Sequence, residues 1–151
     1  MSKAIVIIPT YNELENIPVV LDKVLNLSIL FDVLFVDDNS PDGTAELVKD
    51  YAKKYDKRIF LESKNKKEGL GKAYTLGFYW ALSKNYQYIF EMDADLSHDP
   101  NDLVRMYKEI DSSNCDVIVG SRYINGINVV NWPLSRIILS YLASIYSRVI
   151  T

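Results

Sequence analysis

Five short β-branched runs, separated by longer stretches of helical periodicity, limit what this chain can fold into more than any other feature. KAIVII, DVLFV, RIFLE, YQYIFEM and DVIVG read as strands, and apolar residues three and four apart fill the segments between them. That order predicts an α/β fold with a mainly parallel central sheet and right-handed crossovers. The first helix is expected from about Asn16, with Pro18 in its opening turn and Ile17, Val20, Leu21, Val24 and Leu25 on one face. The second follows NSPDGT and buries Leu47, Val48 and Tyr51, and the third runs from about Gly71 to Ser83. The fourth opens on Asp99 as N-cap, with Pro100 at the first helical position and Asp102 at the third.

With 151 residues and 48% apolar content, the chain is long enough to bury one substantial core. A formal net charge of -3 argues against a nucleic-acid binder working through a basic surface, although KNKKEGLGK leaves room for local phosphate contacts. The single cysteine, Cys115, excludes an internal disulfide framework and a multi-thiolate metal site, and favours an intracellular location. MSKAIVIIPT lacks the cleavage pattern of a secretory signal, and no apolar run reaches the roughly 18 residues of a membrane span. Near the end, PLSRIILSYLASIYSRVIT is apolar around most of its circumference and asks for a helical partner or a bilayer surface. Residues 1–133 are therefore expected to form the core domain. Residues 134–151 should form an apolar helix that stops without Gly, Pro or a polar tail, as if further structure follows.

In open α/β sheets ligands collect at the carboxyl ends of the strands, and the most polar residues of this chain are expected there. The first strand ends in PTYNELEN, the second in VDDNSPDGT, the fourth in MDADLSHDP and the fifth in GSRY. Asp93 and Asp95, two apart in extended chain, would project to one side and share a hard divalent cation, Mg²⁺ or Mn²⁺, that completes its shell with water and phosphate oxygens. The plainer alternative, strand termination and capping, accounts for Asp99 but leaves Asp93 and Asp95 unexplained. Tyr11 offers a ring for stacking and Glu13 a carboxylate for ribose or base. Asn12, Glu13 and Glu15 equally fit a solvated helix start.

Asp37 and Asp38 close the second strand, where one acid commonly reads a nucleoside; Asn39 to Gly43 read as turn residues. Gly69 and Gly71 suit a helix start rather than a dinucleotide fingerprint, with Lys72 a possible helper. Arg122 and Arg136 are candidates for anionic oxygens; Arg136 also fits an exposed break in an apolar helix. His98 reads as a turn residue.

Together IPTYNELEN, VDDNSPDGT, GLGKAYTLGF, MDADLSHDP and GSRY resemble the dolichol-phosphate mannosyltransferases of glycosyltransferase family 2, in the same order over residues 4 to 136. The resemblance implies a GT-A fold, a Rossmann-like sandwich that uses nucleotide-diphospho-sugars, here GDP-mannose, and a polyprenyl or dolichyl monophosphate acceptor. It implies that Pro9, Tyr11, Glu13, Val36 and Asp38 line the nucleoside pocket, and that Asp93, Ala94 and Asp95 carry the metal and donor diphosphate. Ser97 would lie beside the donor, at a position that in relatives can hold Gln. Arg122 and Arg136 would face the reacting phosphates, and Asp95, Arg122 and Arg136 would act in catalysis. The protein would work peripherally at the cytoplasmic face of a membrane, in glycosylation. A phosphate monoester, with a second pKa of about 6, needs no strong base to attack, which suits in-line displacement with inversion. A UDP-sugar donor, or a nucleotide-binding fragment without turnover, remains open from the residues alone. A Rossmann dehydrogenase is disfavoured by the missing glycine fingerprint.

Overall fold

The computed structural model describes residues 3–55, 57–120 and 134–150, with backbone alone at residues 136, 137, 144 and 147–149. The chain divides into two compact units, Met1–Ile118 and Val119–Thr151.

In the first unit the elements run β1 (Ala4–Thr10), α1 (Asn16–Leu25), β2 (Phe31–Asp37), α2 (Thr44–Lys54), β3 (Ile59–Ser63), α3 (Leu70–Ser83), β4 (Tyr88–Glu91) and α4 (Asn101–Ser112). Their four strands form one sheet in the order β3-β2-β1-β4, and every pairing is parallel. Parallel sheets are covered on both faces, so their strands read as continuous apolar runs. Ala4 through Ile8 of β1 accordingly have no exposed surface.

Strand alternation divides the core in two. Ala4, Val6 and Ile8 meet Phe31, Val33 and Phe35 beneath α1, α2 and α4, where Ile17, Val20, Leu21, Val24, Val48 and Leu103 are buried. Leu25, Leu47 and Tyr51 pack at the margin of that cluster. Ile5, Ile7, Leu34 and Val36 point the other way, against Ala73 and Ala81 of α3. That helix approaches closely because Ala73, Gly77 and Ala81 repeat at four-residue spacing and are all buried. A Cβ on Gly77 would stand 2.6 Å from Ile7 Cγ2.

The fourth helix begins as the sequence predicts. Pro100 is already helical (φ -57, ψ -22), and Asp99 Oδ1 accepts the Asn101 N–H at 3.0 Å, the bond of an N-cap. Two expectations fail. DVIVG forms no strand: residues 117–120 are irregular, with Val117 and Val119 exposed by 75% and 81%. β-branched residues make a strand only where a neighbouring ladder and a face to pack on are supplied, and among the described residues β4 carries no partner on its outer edge. The extended spacing assumed for Asp93 and Asp95 is also absent, because β4 stops at Glu91 and residues 94–95 form a turn.

The second unit contains α5 (Leu134–Ile150), with Ile138, Leu139, Leu142, Ile145 and Tyr146 exposed. Among the described residues no helix is long and apolar enough to cross a membrane.

Replacing Gly77 by Ala sets a helix-propensity gain of about 1 kcal/mol against overpacking of about 1–3 kcal/mol. Ile7 is anchored in the central strand, so Gly77→Ala is expected to lower stability, by up to about 2 kcal/mol in urea unfolding. An unchanged or raised midpoint would show that α3 is free to shift.

Candidate functional site

The parallel ladder aligns Thr10 with Asp37 and Asp37 with Ser63, so β1, β2 and β3 end at one rim. β4 joins it, with the Met92 N–H donating to the Ile7 carbonyl at 3.1 Å.

The loop after β1 is fastened to the loop after β2. Ser40 Oγ, Thr44 Oγ1 and Asp42 Oδ2 accept the backbone N–H groups of Asn12, Glu13 and Leu14 at 3.0, 3.0 and 3.2 Å. Asp37, 1% exposed, accepts from the Thr10 hydroxyl at 3.1 Å and from the Ser40 hydroxyl and N–H at 2.6 and 2.9 Å. Asp37 thus braces the turn, as Ser40 and Asp42 do. Burial alone would raise Asp42, but bonds from the Thr44 hydroxyl and N–H and the Leu14 N–H hold it below the usual carboxylate value. Glu13 sits half-buried on this platform, its Oε2 accepting from Asn16 Nδ2 at 2.6 Å.

Asp38 is also deeply engaged. Its Oδ1 accepts from Lys64 Nζ at 2.7 Å and the Glu68 N–H at 3.0 Å, and its Oδ2 from the Gly69 N–H at 2.8 Å. Both side chains of this ion pair are under 10% exposed, and Glu68 adds a second carboxylate 3.4 Å from Lys64. Burial would raise Asp38, yet the Lys64 hydrogen bond and the Glu68 and Gly69 N–H groups hold it below its ordinary 3.8. Burial would likewise lower Lys64, but the Asp38 hydrogen bond and charge hold it above 10.5. The strut fixes the 64–69 loop across the end of β2, where Gly69 supplies a positive φ of 93°. From the same loop, Lys67 Nζ lies 3.4 Å from the centroid of the exposed Tyr11 ring, a cation–π contact.

The other predicted residues of the first unit lie at or near the same strand ends. Pro9 is half-buried in register with Val36, whose side chain is wholly inside the α3-facing cluster. Beyond β4, Ala94 is buried in the opposite cluster while Asp93 and Asp95 flank it. Asp93 Oδ1 accepts from the Tyr74 hydroxyl at 3.1 Å, and its N–H donates to His98 Nδ1 at 3.3 Å. Asp95, exposed, accepts the Ser97 N–H at 2.9 Å in a turn whose Leu96 has a φ of 60°. Arg122 lies outside the described residues. Arg136 lies in α5, in the other unit, and its side chain is likewise outside them.

Among the described residues no three His, Cys, Asp or Glu side chains gather as a metal cage. Two partly exposed carboxylates at a strand end do fit a hard cation that takes one or two protein oxygens and fills its remaining positions with water and phosphate. Tyr74 was invisible as a site residue in the sequence, and Lys64 and Lys67 stood there only within KNKKEGLGK, read as room for phosphate contacts. The small-residue repeat at 73, 77 and 81 is the signal that brings α3, and Tyr74 with it, against the sheet.

The Asp38 strut has a definite pH signature. A depressed carboxylate stabilises fully above its unfolded value, 3.8, and loses that contribution as the pH falls through its lower folded value. Asp38→Asn should therefore be less stable than wild type from pH 7 down to about pH 4, with the gap narrowing only below that. Urea unfolding across this range checks it; a gap independent of pH would contradict the charged strut.

Residues 5–150 match the family described as Glycosyl transferase family 2. A polyprenol monophosphomannose synthase from Mycolicibacterium smegmatis is 43% identical over 97% of this chain and 55% of its own length. An undecaprenyl-phosphate mannosyltransferase from Micrococcus luteus is 40% identical over 97% of this chain and 59% of its own length. The chain thus spans a little over half the length of these curated relatives. The crystal structure of S. aureus TarS 1-349 is similar in fold, with a TM-score of 0.65 at 24% identity over 89% of this chain and 39% of that one. The all-parallel sheet, the polar rim at its strand ends and a family match over nearly the full length lead to one assignment: the chain belongs to glycosyl transferase family 2, with a GT-A fold.

Proposed function

We propose that the chain carries the donor half of an inverting mannosyltransferase that passes mannose from GDP-mannose to a polyprenyl or dolichyl monophosphate. The observation that carries this reading is the similarity over 97% of the chain to two relatives whose names join mannose transfer to a polyprenyl phosphate. The geometry is compatible with it. Tyr11, already covered by an ammonium, offers the kind of face on which a base stacks, and Glu13 is held beside it by the Thr44 clamp. Asp38 contributes by holding the 64–69 loop in place, since its oxygens already accept from Lys64 and two backbone N–H groups.

A divalent cation, Mg²⁺ or Mn²⁺, held by Asp93 and Asp95 would supply positive charge against the donor diphosphate. Arg122 and Arg136 are assigned to the anionic oxygens of donor and acceptor, and Ala94 and Ser97 to the wall beside the donor. The acceptor phosphate is mostly dianionic at neutral pH, so the side chains need to orient and neutralise rather than remove a proton. The exposed apolar residues of α5 fit a helix lying on a lipid surface near such an acceptor. On this reading the protein works peripherally at the cytoplasmic face of its membrane.

Calorimetric titration with GDP and UDP, each with Mn²⁺, Mg²⁺ or chelator, tests the donor site. GDP binding is expected to depend on metal and to exceed UDP binding, and Asp93→Asn or Asp95→Asn should weaken it at least about tenfold. GDP affinity unchanged by chelator and by both substitutions would remove the proposed site. Stronger UDP binding would reassign the donor.

A further inference from the structure

We infer that Tyr74 is a positioning residue for Asp93, fixing the carboxylate that serves the divalent cation; the inference rests on the donor-site reading above. The two side chains belong to different elements, one on α3 and the other beyond β4, and meet across 19 residues of sequence through the 3.1 Å hydrogen bond from the Tyr74 hydroxyl to Asp93 Oδ1. Tyr74 is half-buried, and its ring packs against the Ile5, Ile7 and Leu34 cluster. The phenol is therefore held from behind by the sheet before it reaches the carboxylate.

That reach depends on how closely α3 lies on β1, which the bare Cα of Gly77 against Ile7 permits. Asp93 is restrained from its other side as well. Its N–H donates to His98 Nδ1 at 3.3 Å, and His98 Nε2 stands 3.9 Å from Asp93 Oδ2. A carboxylate in a turn beyond a strand end would otherwise rotate freely. With Oδ1 engaged by a rigid phenol, the ligand is oriented before the cation arrives, as outer partners commonly orient metal-binding carboxylates.

The test measures Mn²⁺ affinity by water-proton relaxation in the presence of GDP, for wild type, Tyr74→Phe, Asp93→Asn and the double variant. Tyr74→Phe keeps the ring and deletes only the donor. It should lose about tenfold in Mn²⁺ affinity, keep its metal-free GDP affinity in chelator, and melt within about 3 °C of wild type. The double variant should bind Mn²⁺ no more weakly than Asp93→Asn alone. Wild-type Mn²⁺ affinity in Tyr74→Phe, alongside a loss in Asp93→Asn, overturns the positioning role and leaves the donor site standing. No loss in either single variant overturns both. Equal loss of GDP binding with and without metal also overturns positioning, because it marks Tyr74 as a packing residue only.

Discussion

β1 is hydrogen-bonded to a parallel neighbour on each edge and covered on both faces, so its run from Ala4 to Ile8 leaves nothing in contact with water. A strand in that position fixes the direction of every other strand in the sheet. Parallel pairing also forces each connection to return over a face, which is how α1 and α2 come to share one side with α3 on the other. All the carboxyl ends then finish together. The rim exists because the centre of the sheet allows no other arrangement.

Collecting acids at such a rim carries a penalty, since a buried carboxylate without partners is disfavoured by several kcal/mol. The acids after β2 avoid it by becoming part of the scaffold. Asp37 accepts from Thr10 and Ser40, Asp42 ties Thr44 to Leu14, and Asp38 pairs with Lys64 beneath the Gly69 turn. The acids after β4 are arranged differently. Asp93 is partly exposed and receives one neutral hydroxyl, and Asp95 caps an exposed turn. Glu91 nearby is held above its ordinary value by partial desolvation and by the charge of Asp93. One cluster is tied into the scaffold, and the other is left partly exposed.

The sequence revealed whatever depends on local periodicity. The α1 face follows from Ile17, Val20, Leu21 and Val24, and the start of α4 from an Asp-Pro pair whose cap bond forms as expected. It misled where the outcome depends on neighbours. The β-branched run at 116–119 resembles a strand in composition, but its valines lie exposed. Asp93 and Asp95 looked like alternating strand residues, although β4 has already ended. Asp38, expected in the nucleoside pocket, also accepts from partners 26 to 31 residues away that spacing does not reveal. Tyr74 could not be linked to Asp93 from spacing at all, because their contact is set by the distance between a helix and a sheet.

The central claim is that the turn after β4 is where cation and nucleotide meet. Amide NMR spectra of the isotope-labelled protein, recorded with GDP while Mn²⁺ is added at substoichiometric amounts, test it most directly. Paramagnetic broadening should centre on Asp93 through Ser97, extend to Tyr74, and require GDP for its full effect. Broadening spread over the exposed carboxylates of α2 and α4, with no focus on Asp93, would contradict it.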